Sequence, residues 1–208
     1  MKKCFDQEDV AIQKRIARAE KKALRFTGDD YGLVQRFWEL VSMFPRITSP
    51  ELEKRVERFI LNGTAEQYYR IQKALFHEGT PFMLNDPKLM KVVNAMQGKS
   101  IGLSVTGVYD STITLDNMYF LVEQGIRRDI PVISVVSRRD YADAILNMKD
   151  PVRLLVGRRI RASRKLTLLK WALPHLELLK EKGLLEQSLY HQPFIEDLLD
   201  ENLTDMGY

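Results

Sequence analysis

Two short polar segments could carry chemistry, because each directly follows an apolar run of strand length. The runs are residues 100–106 and 130–136, and residues 115–124 between them have helical spacing. We expect two parallel strands joined by a crossover helix, with their carboxyl ends at one edge of a sheet. Ligands bind at such edges, and hydroxyl and guanidinium groups suit a phosphate or carboxylate. The predicted ligand-binding residues are Thr106, Gly107, Ser111, Thr112, Ser137, Arg138 and Arg139.

This ligand site has a simpler alternative. Ser111 or Thr114 could merely cap the crossover helix, and Arg138 and Arg139 could be solvated. The segment after the first run has neither the spaced glycines of a dinucleotide-binding fingerprint nor the Gly-Lys-Ser/Thr of a P-loop. A phosphate-ligand enzyme at the strand ends is therefore the third of our functional interpretations.

No pattern predicts a catalytic residue, a cofactor or a metal site. Cys4 is the only cysteine, and the three histidines are scattered without metal-ligand spacing. No serine of the strand runs lies in a Gly-x-Ser-x-Gly elbow. We therefore expect a protein without catalytic residues, cofactors or metals.

The strongest charge feature is the contrast between two C-terminal segments. Residues 151–182 carry nine Lys/Arg and two Glu, whereas residues 183–208 carry six Asp/Glu and no Lys/Arg. This contrast suits an anionic partner, and it also permits the acidic tail to fold back over the basic residues. The predicted macromolecule-binding residues are Arg153, Arg158, Arg159, Arg161, Arg164, Lys165 and Lys170.

Our leading interpretation is a non-enzymatic adaptor that binds an acidic protein or another anionic macromolecule through these residues. The alternative is a nucleic-acid-binding regulator. Helices at 139–148 and 151–165, separated by a short turn, would resemble a helix-turn-helix whose second helix is basic. A solvated or internally paired basic face explains the same residues without any partner. The identity of the partner and the oligomeric state stay open.

The elements that must position these residues are mostly helical. We expect a mixed, predominantly helical α/β fold, with a helical N-terminal half packed on a small parallel βαβ sheet and followed by C-terminal helices. Residues 1–98 form the helical region, 99–150 a βαβα unit, and 151–208 basic helices with an acidic tail. These three regions are expected to share one core.

Capping residues set the expected helix boundaries in the first region. Ser49 before Pro50 predicts a helix start, and Thr64 with Gln67 has the spacing of a capping box. Glycine after asparagine or glutamate predicts the ends. The predicted helices of this region lie at about residues 8–26, 31–44, 50–62, 65–78 and 87–97.

Later segments leave an alternative open. Residues 152–157 fit either a third parallel strand or a helix that begins at Asp150-Pro151, and we favour the helix. Two strands make a poor sheet, so a further strand would then come from a stretch such as 80–84. Residues 165–182 predict a helix, and residues 193–201 a short amphipathic helix before a frayed terminus.

The chain has no apolar run of the roughly 20 residues that cross a bilayer, and its charged start lacks the apolar segment of a signal peptide. Its formal net charge is +4. We therefore expect no membrane span and a cytoplasmic location.

Overall fold

A computed structural model describes residues 47, 49–84, 87–117, 119–146, 148–149, 151–171 and 183–208. Three helices precede the sheet: α1 (Pro50–Asn62), α2 (Ala65–Leu84) and α3 (Pro87–Met96). The strands are β1 (Ser100–Val105), β2 (Tyr109–Asp116), β3 (Tyr119–Gln124), β4 (Val132–Val135) and β5 (Ile160–Ala162). Between β4 and β5 lie α4 (Arg138–Ile145) and α5 (Pro151–Val156), and β5 is followed by α6 (residues 165–171) and α7 (Gly183–Asp205).

The five strands form one mixed sheet in the order β3-β2-β1-β4-β5. β1 and β4 are parallel, as the sequence predicts, with Val105 opposite Val135. The other three pairings are antiparallel. The mixed α/β class is therefore confirmed, but the small parallel βαβ sheet is wrong, because the segment between the parallel strands forms β2 and β3 instead of a crossover helix.

Local preferences explain why this segment forms a hairpin. Thr112-Ile113-Thr114 is β-branched, and Tyr119-Phe120-Leu121-Val122 is aromatic and apolar, so both favour strands. Asn117 turns the chain with φ of 46°, a left-handed conformation that asparagine adopts more readily than most residues. The apolar residues of 115–124 also fit helical spacing, and that ambiguity produced the wrong prediction.

Helix α2 covers one face of the hairpin. The ring of Phe76 lies 5.2 Å from that of Phe120, and the Tyr69 hydroxyl donates to the backbone carbonyl oxygen of Val122 over 2.8 Å. These contacts place α2 over β3 and β2.

The connection from β3 to β4 crosses the opposite face of the sheet. Within it, the backbone N–H of Arg127 donates to the Thr112 hydroxyl over 3.0 Å, and that hydroxyl donates to the backbone carbonyl oxygen of Gly125 over 2.8 Å. Gly102 leaves room for Ile126, since a Cβ at position 102 would lie 2.9 Å from its Cδ1 atom. The crossing carries the chain from the edge strand β3 to the parallel strand β4.

The capping predictions for α1 and α2 are confirmed. The Ser49 hydroxyl accepts from the backbone N–H of Leu52 over 3.3 Å. Thr64 and Gln67 form the reciprocal capping box, with donor–acceptor distances of 2.9 and 3.3 Å.

Other helix predictions have different outcomes. Helix α2 continues to Leu84, so its predicted end near residue 78 and the suggested strand at 80–84 are wrong. The predicted helices at 8–26 and 31–44 lie outside the described residues. Among the described helices, none is both long enough and apolar enough to cross a membrane.

The acidic C-terminal segment is part of the core. Leu198, Leu199 and Leu203 of α7 are buried, and α7 packs on α1 and α2. The helix is much longer than the predicted one at 193–201, and it contains Pro193. Burial of these three leucines explains why this segment folds onto the helical hairpin formed by α1 and α2.

Charged and aromatic contacts also fix α7 to that hairpin. Asp200 pairs with Arg55, and Asp205 pairs with Arg70 at 2.7 Å. The Tyr208 ring meets another ring of the core, that of Phe59, edge-on at 5.5 Å. The predicted frayed terminus is therefore wrong. Asp200 and Asp205 meet arginines of α1 and α2, so these two acids do not cover the basic segment.

Candidate functional site

The predicted macromolecule-binding residues lie on a continuous stretch, residues 151–171, which we call the basic segment. Its first part is the favoured helix, α5, but the predicted single helix over 151–165 is wrong. Arg158 adopts a left-handed conformation with φ of 57° and turns the chain into β5. In β5, Arg161 lies opposite Ser134 of β4, and the side chain of Ile160 is buried. The second helix of the predicted helix-turn-helix is therefore limited to the six residues of α5.

All seven predicted cations of the basic segment are exposed, and the segment contains no Asp or Glu. Two of them meet a carboxylate within the described ranges: Arg164 lies 2.6 Å from Asp129, and Arg159 lies 3.9 Å from Asp140. The cations without such a partner among the described residues are Arg153, Arg158, Arg161, Lys165 and Lys170.

Lys99, just before β1, adds to this positive charge. Its Nζ atom lies 5.4 Å from the ring centroid of Trp171, at the end of the described part of α6. Partial burial lowers the pKa of Lys99, and repulsion from Lys170 lowers it further. A neighbouring cation depresses a lysine pKa only when the two charges are close. The position of Lys99 beside Trp171 thus adds one positive charge near the end of the described part of the basic segment.

The predicted strand-end site is brought together only in part. Thr106 follows β1, and its backbone N–H and its hydroxyl both donate to the carbonyl oxygen of Val135, over 3.0 and 3.1 Å. Ser137 follows β4 and caps α4: its hydroxyl accepts from the backbone N–H of Asp140 over 3.1 Å and donates to the Asp140 carboxylate over 2.6 Å. Thr106, Gly107 and Ser137 share the predicted edge, but both hydroxyls are engaged within the protein.

Ser111 and Thr112 lie away from this edge. They are in the middle of β2, opposite Leu103 and Gly102, and both are 0% exposed. The interpretation that Ser111 or Thr114 caps a helix is also wrong, because these residues are in a strand.

Arg138, the first residue of α4, binds the C-terminal end of helix α1. Its Nη1 atom donates to the carbonyl oxygens of Leu61 and Gly63 over 3.1 and 2.8 Å, and its guanidinium lies 5.9 Å from the centroid of the Tyr68 ring. The last carbonyls of a helix lack partners within the helix, so this cation satisfies groups that the helix leaves open.

Arg139 instead joins an ion-pair cluster. It pairs with Glu57 of α1 at 2.5 Å and with Asp143 of α4 at 3.1 Å. The Asp143 side chain is only 1% exposed and also meets Lys149 at 2.5 Å. Sequence reasoning missed this buried carboxylate, whose only sequence signal is the i, i+4 spacing from Arg139.

A second candidate site is a cavity of about 100 Å³ between the sheet and the helices. Tyr68 and Tyr109 form part of its wall and stack with their ring centroids 5.6 Å apart. Burial raises the pKa of Tyr68 to about 12, against the opposing effect of the Arg138 guanidinium. Burial also raises the pKa values of Tyr109 and Tyr141. The sequence gives no signal for this cavity, because it depends on contacts between distant segments.

Within the described ranges, no group of three or more His, Cys, Asp or Glu side chains could hold a metal ion.

Comparisons with known proteins assign no family. No protein-family model and no curated protein matches the sequence. Among solved structures, the chain is similar to a UbiJ-SCP2 ubiquinone synthesis protein, with a TM-score of 0.35 and 13% identity. That similarity covers 49% of this chain and 88% of the other.

Proposed function

We propose that this protein is a non-enzymatic binding or adaptor protein that engages an acidic protein partner through its basic segment. The supporting observation is the combination of seven exposed cations, no acidic residue in the segment, and carboxylate contacts to two of the seven within the described ranges. The proposal rests on this charge pattern.

Exposed cations without nearby carboxylates suit an anionic surface. Their positive potential steers an oppositely charged partner and raises the association rate. Arginine suits this role because its planar guanidinium binds a carboxylate through two parallel hydrogen bonds. The cations stay in water before binding, so the free protein does not bear the cost of burying them.

The local backbone favours a protein partner over sequence-specific recognition of DNA. Recognition in the major groove commonly uses a helix, whereas the five arginines here lie on a six-residue helix, a three-residue strand and the turns beside that strand, and α6 carries only Lys165 and Lys170 of the seven cations. Nucleic acid would then bind through its phosphates, with a steep dependence on salt. It is the alternative outcome of the following test.

Fluorescence polarisation with labelled polyglutamate and with single-stranded and duplex oligonucleotides separates these partners. Titrations at about 50 and 200 mM salt give the electrostatic contribution. The charge-reversal variant Arg153→Glu/Arg161→Glu changes two exposed cations that have no carboxylate partner in the described ranges. The matched control, Lys54→Glu/Lys73→Glu, makes the same charge change on exposed residues of α1 and α2.

We expect polyglutamate binding to weaken at the higher salt concentration and to fall by at least about tenfold in the Arg153/Arg161 variant. The Lys54/Lys73 variant should retain binding. Equal losses in the two variants, or no binding at the lower salt concentration, would overturn the proposal. Tighter, salt-sensitive binding of oligonucleotides would replace it with the nucleic-acid alternative.

A further inference from the structure

The cavity between the sheet and the helices is separate from the basic segment, because none of its lining residues belongs to residues 151–171. It encloses about 100 Å³. Protein interiors pack as densely as organic crystals and contain few voids larger than a water molecule. An interior space of this size is therefore a candidate binding site.

The positions of the helices explain the space. Helix α2 packs over β3 and β2, and α4 lies beside β4. Strand β1 runs between these two contacts, and its side chains Ile101 and Leu103 line the cavity. Both are only half-buried, as is Ile133 of β4, although they share the core face of the sheet. The cavity is the gap between two helices that cover different parts of one sheet.

The cavity wall is mostly apolar, but it includes the polar pair Tyr109 and Gln72. The Tyr109 hydroxyl donates to the Oε1 atom of Gln72, and both residues are buried. The Nε2 group of Gln72 has no hydrogen-bond partner among the described residues. Because Gln72 lines the cavity, its amide can donate to an oxygen of a ligand there.

We propose that this cavity binds a small apolar molecule that carries one hydrogen-bonding oxygen. This cavity has about two-thirds of the volume of an apolar cavity of about 150 Å³ that stays dry and accepts benzene, so a single ring is the largest ligand that suits it. The rings of Tyr68 and Tyr109 offer aromatic contacts to such a ligand. The amide of Gln72 pairs with its oxygen. Phenol and benzene are therefore suitable probes with and without that oxygen.

Methyl NMR of the full chain, labelled at Ile, Leu and Val, tests the site directly. Titration with phenol at millimolar concentrations should shift the methyl signals of Ile101, Leu103 and Ile133, and benzene should shift the same signals with lower affinity. Absence of shifts with both probes, or shifts confined to methyls outside the cavity, would overturn the proposal.

Variants distinguish the cavity from non-specific binding. Leu103→Phe fills the space and should weaken phenol binding by at least about tenfold, whereas Leu121→Phe, on the opposite face of β3 and 42% exposed, should not. Gln72→Leu should retain benzene binding and lose the preference for phenol. If Leu103→Phe does not fold, Ile101→Phe fills the space from the same strand. Unchanged phenol affinity in a folded filled variant contradicts the proposal.

Discussion

The Nη1 atom of Arg138 lies 2.8 Å from the backbone carbonyl oxygen of Gly63. This contact joins the first residue of α4 to the residue that ends α1, across 75 residues of sequence. We predicted from the sequence that the Arg138 guanidinium binds a ligand, but in the structure it donates hydrogen bonds to carbonyl oxygens at the C-terminal end of α1. Binding of phosphate at the edge formed by Thr106, Gly107 and Ser137 stays a prediction, which a thermal-shift titration with phosphate would test.

Replacement of Arg138 should destabilise the fold. Arg138→Ala removes a half-buried cation from the carbonyl oxygens that end α1, and hydrogen bonds to charged groups contribute about 1.5–3 kcal/mol. We expect a loss of that size in the free energy of unfolding, measured by urea denaturation. Arg128→Ala, an exposed arginine between β3 and β4, is the control and should change it by less than about 0.5 kcal/mol. Equal stabilities of the two variants would show that the contact contributes nothing.

Capping residues were the most informative local signals in this sequence. Ser49 and the Thr64/Gln67 pair set helix starts within a few residues of chain, so local reasoning suffices for them. The two strands β1 and β4 were predictable as short apolar runs, and their parallel pairing was predicted correctly, but from a crossover helix that the structure replaces with β2 and β3.

Elements that depend on distant contacts were not predictable in this way. The apolar residues of β3 fit a helix or a strand equally well until their partners in β2 are known. The charge contrast permitted the acids of α7 to cover the basic segment, but Asp200 and Asp205 pair with arginines of α1 and α2 instead. Of the predicted strand-end residues, Ser111 and Thr112 are buried in the sheet, because the segment predicted as a loop and crossover helix forms β2.

The turn between β2 and β3 offers a test of that hairpin. Asn117 has φ of 46°, and a left-handed conformation costs an ordinary L-residue about 1–2 kcal/mol. Asn117→Val should lower the free energy of unfolding by about that amount, whereas Asn117→Gly should not lower it. Urea denaturation of the two variants gives the comparison. A crossover helix would reverse the order, because glycine disfavours a helix more than valine does.

Truncation of a leucine in α7 should distinguish a core helix from a mobile cover. Leu203 is fully buried, so Leu203→Ala should cost about 2–5 kcal/mol in the free energy of unfolding. Glu201→Ala, on the exposed side of the same helix, should change it by less than about 0.5 kcal/mol. Thermal and urea denaturation measure both variants. A stable Leu203→Ala protein with stronger binding of polyglutamate would instead restore the interpretation of the tail as a cover.

The buried tyrosines should make the fold sensitive to alkali. Burial raises the pKa of Tyr68 to about 12 and also raises those of Tyr109 and Tyr141, whereas an unfolded tyrosine ionises near pH 10. The folded chain therefore holds these protons more tightly, so their contribution to stability is complete below about pH 10 and is lost as the pH rises above it. The loss is about 1.4 kcal/mol per pH unit for each tyrosine that is ionised only in the unfolded chain.

Urea denaturation between about pH 8 and pH 11 measures this dependence. Tyr141→Phe removes one of the three buried hydroxyls and should make the decline above pH 10 less steep. Tyr119→Phe is the matched control, because its side chain is 62% exposed and its hydroxyl meets water in both states. We expect the control to follow the wild-type curve. A free energy of unfolding that stays constant up to pH 11 would mean that these hydroxyls are solvated in the folded protein.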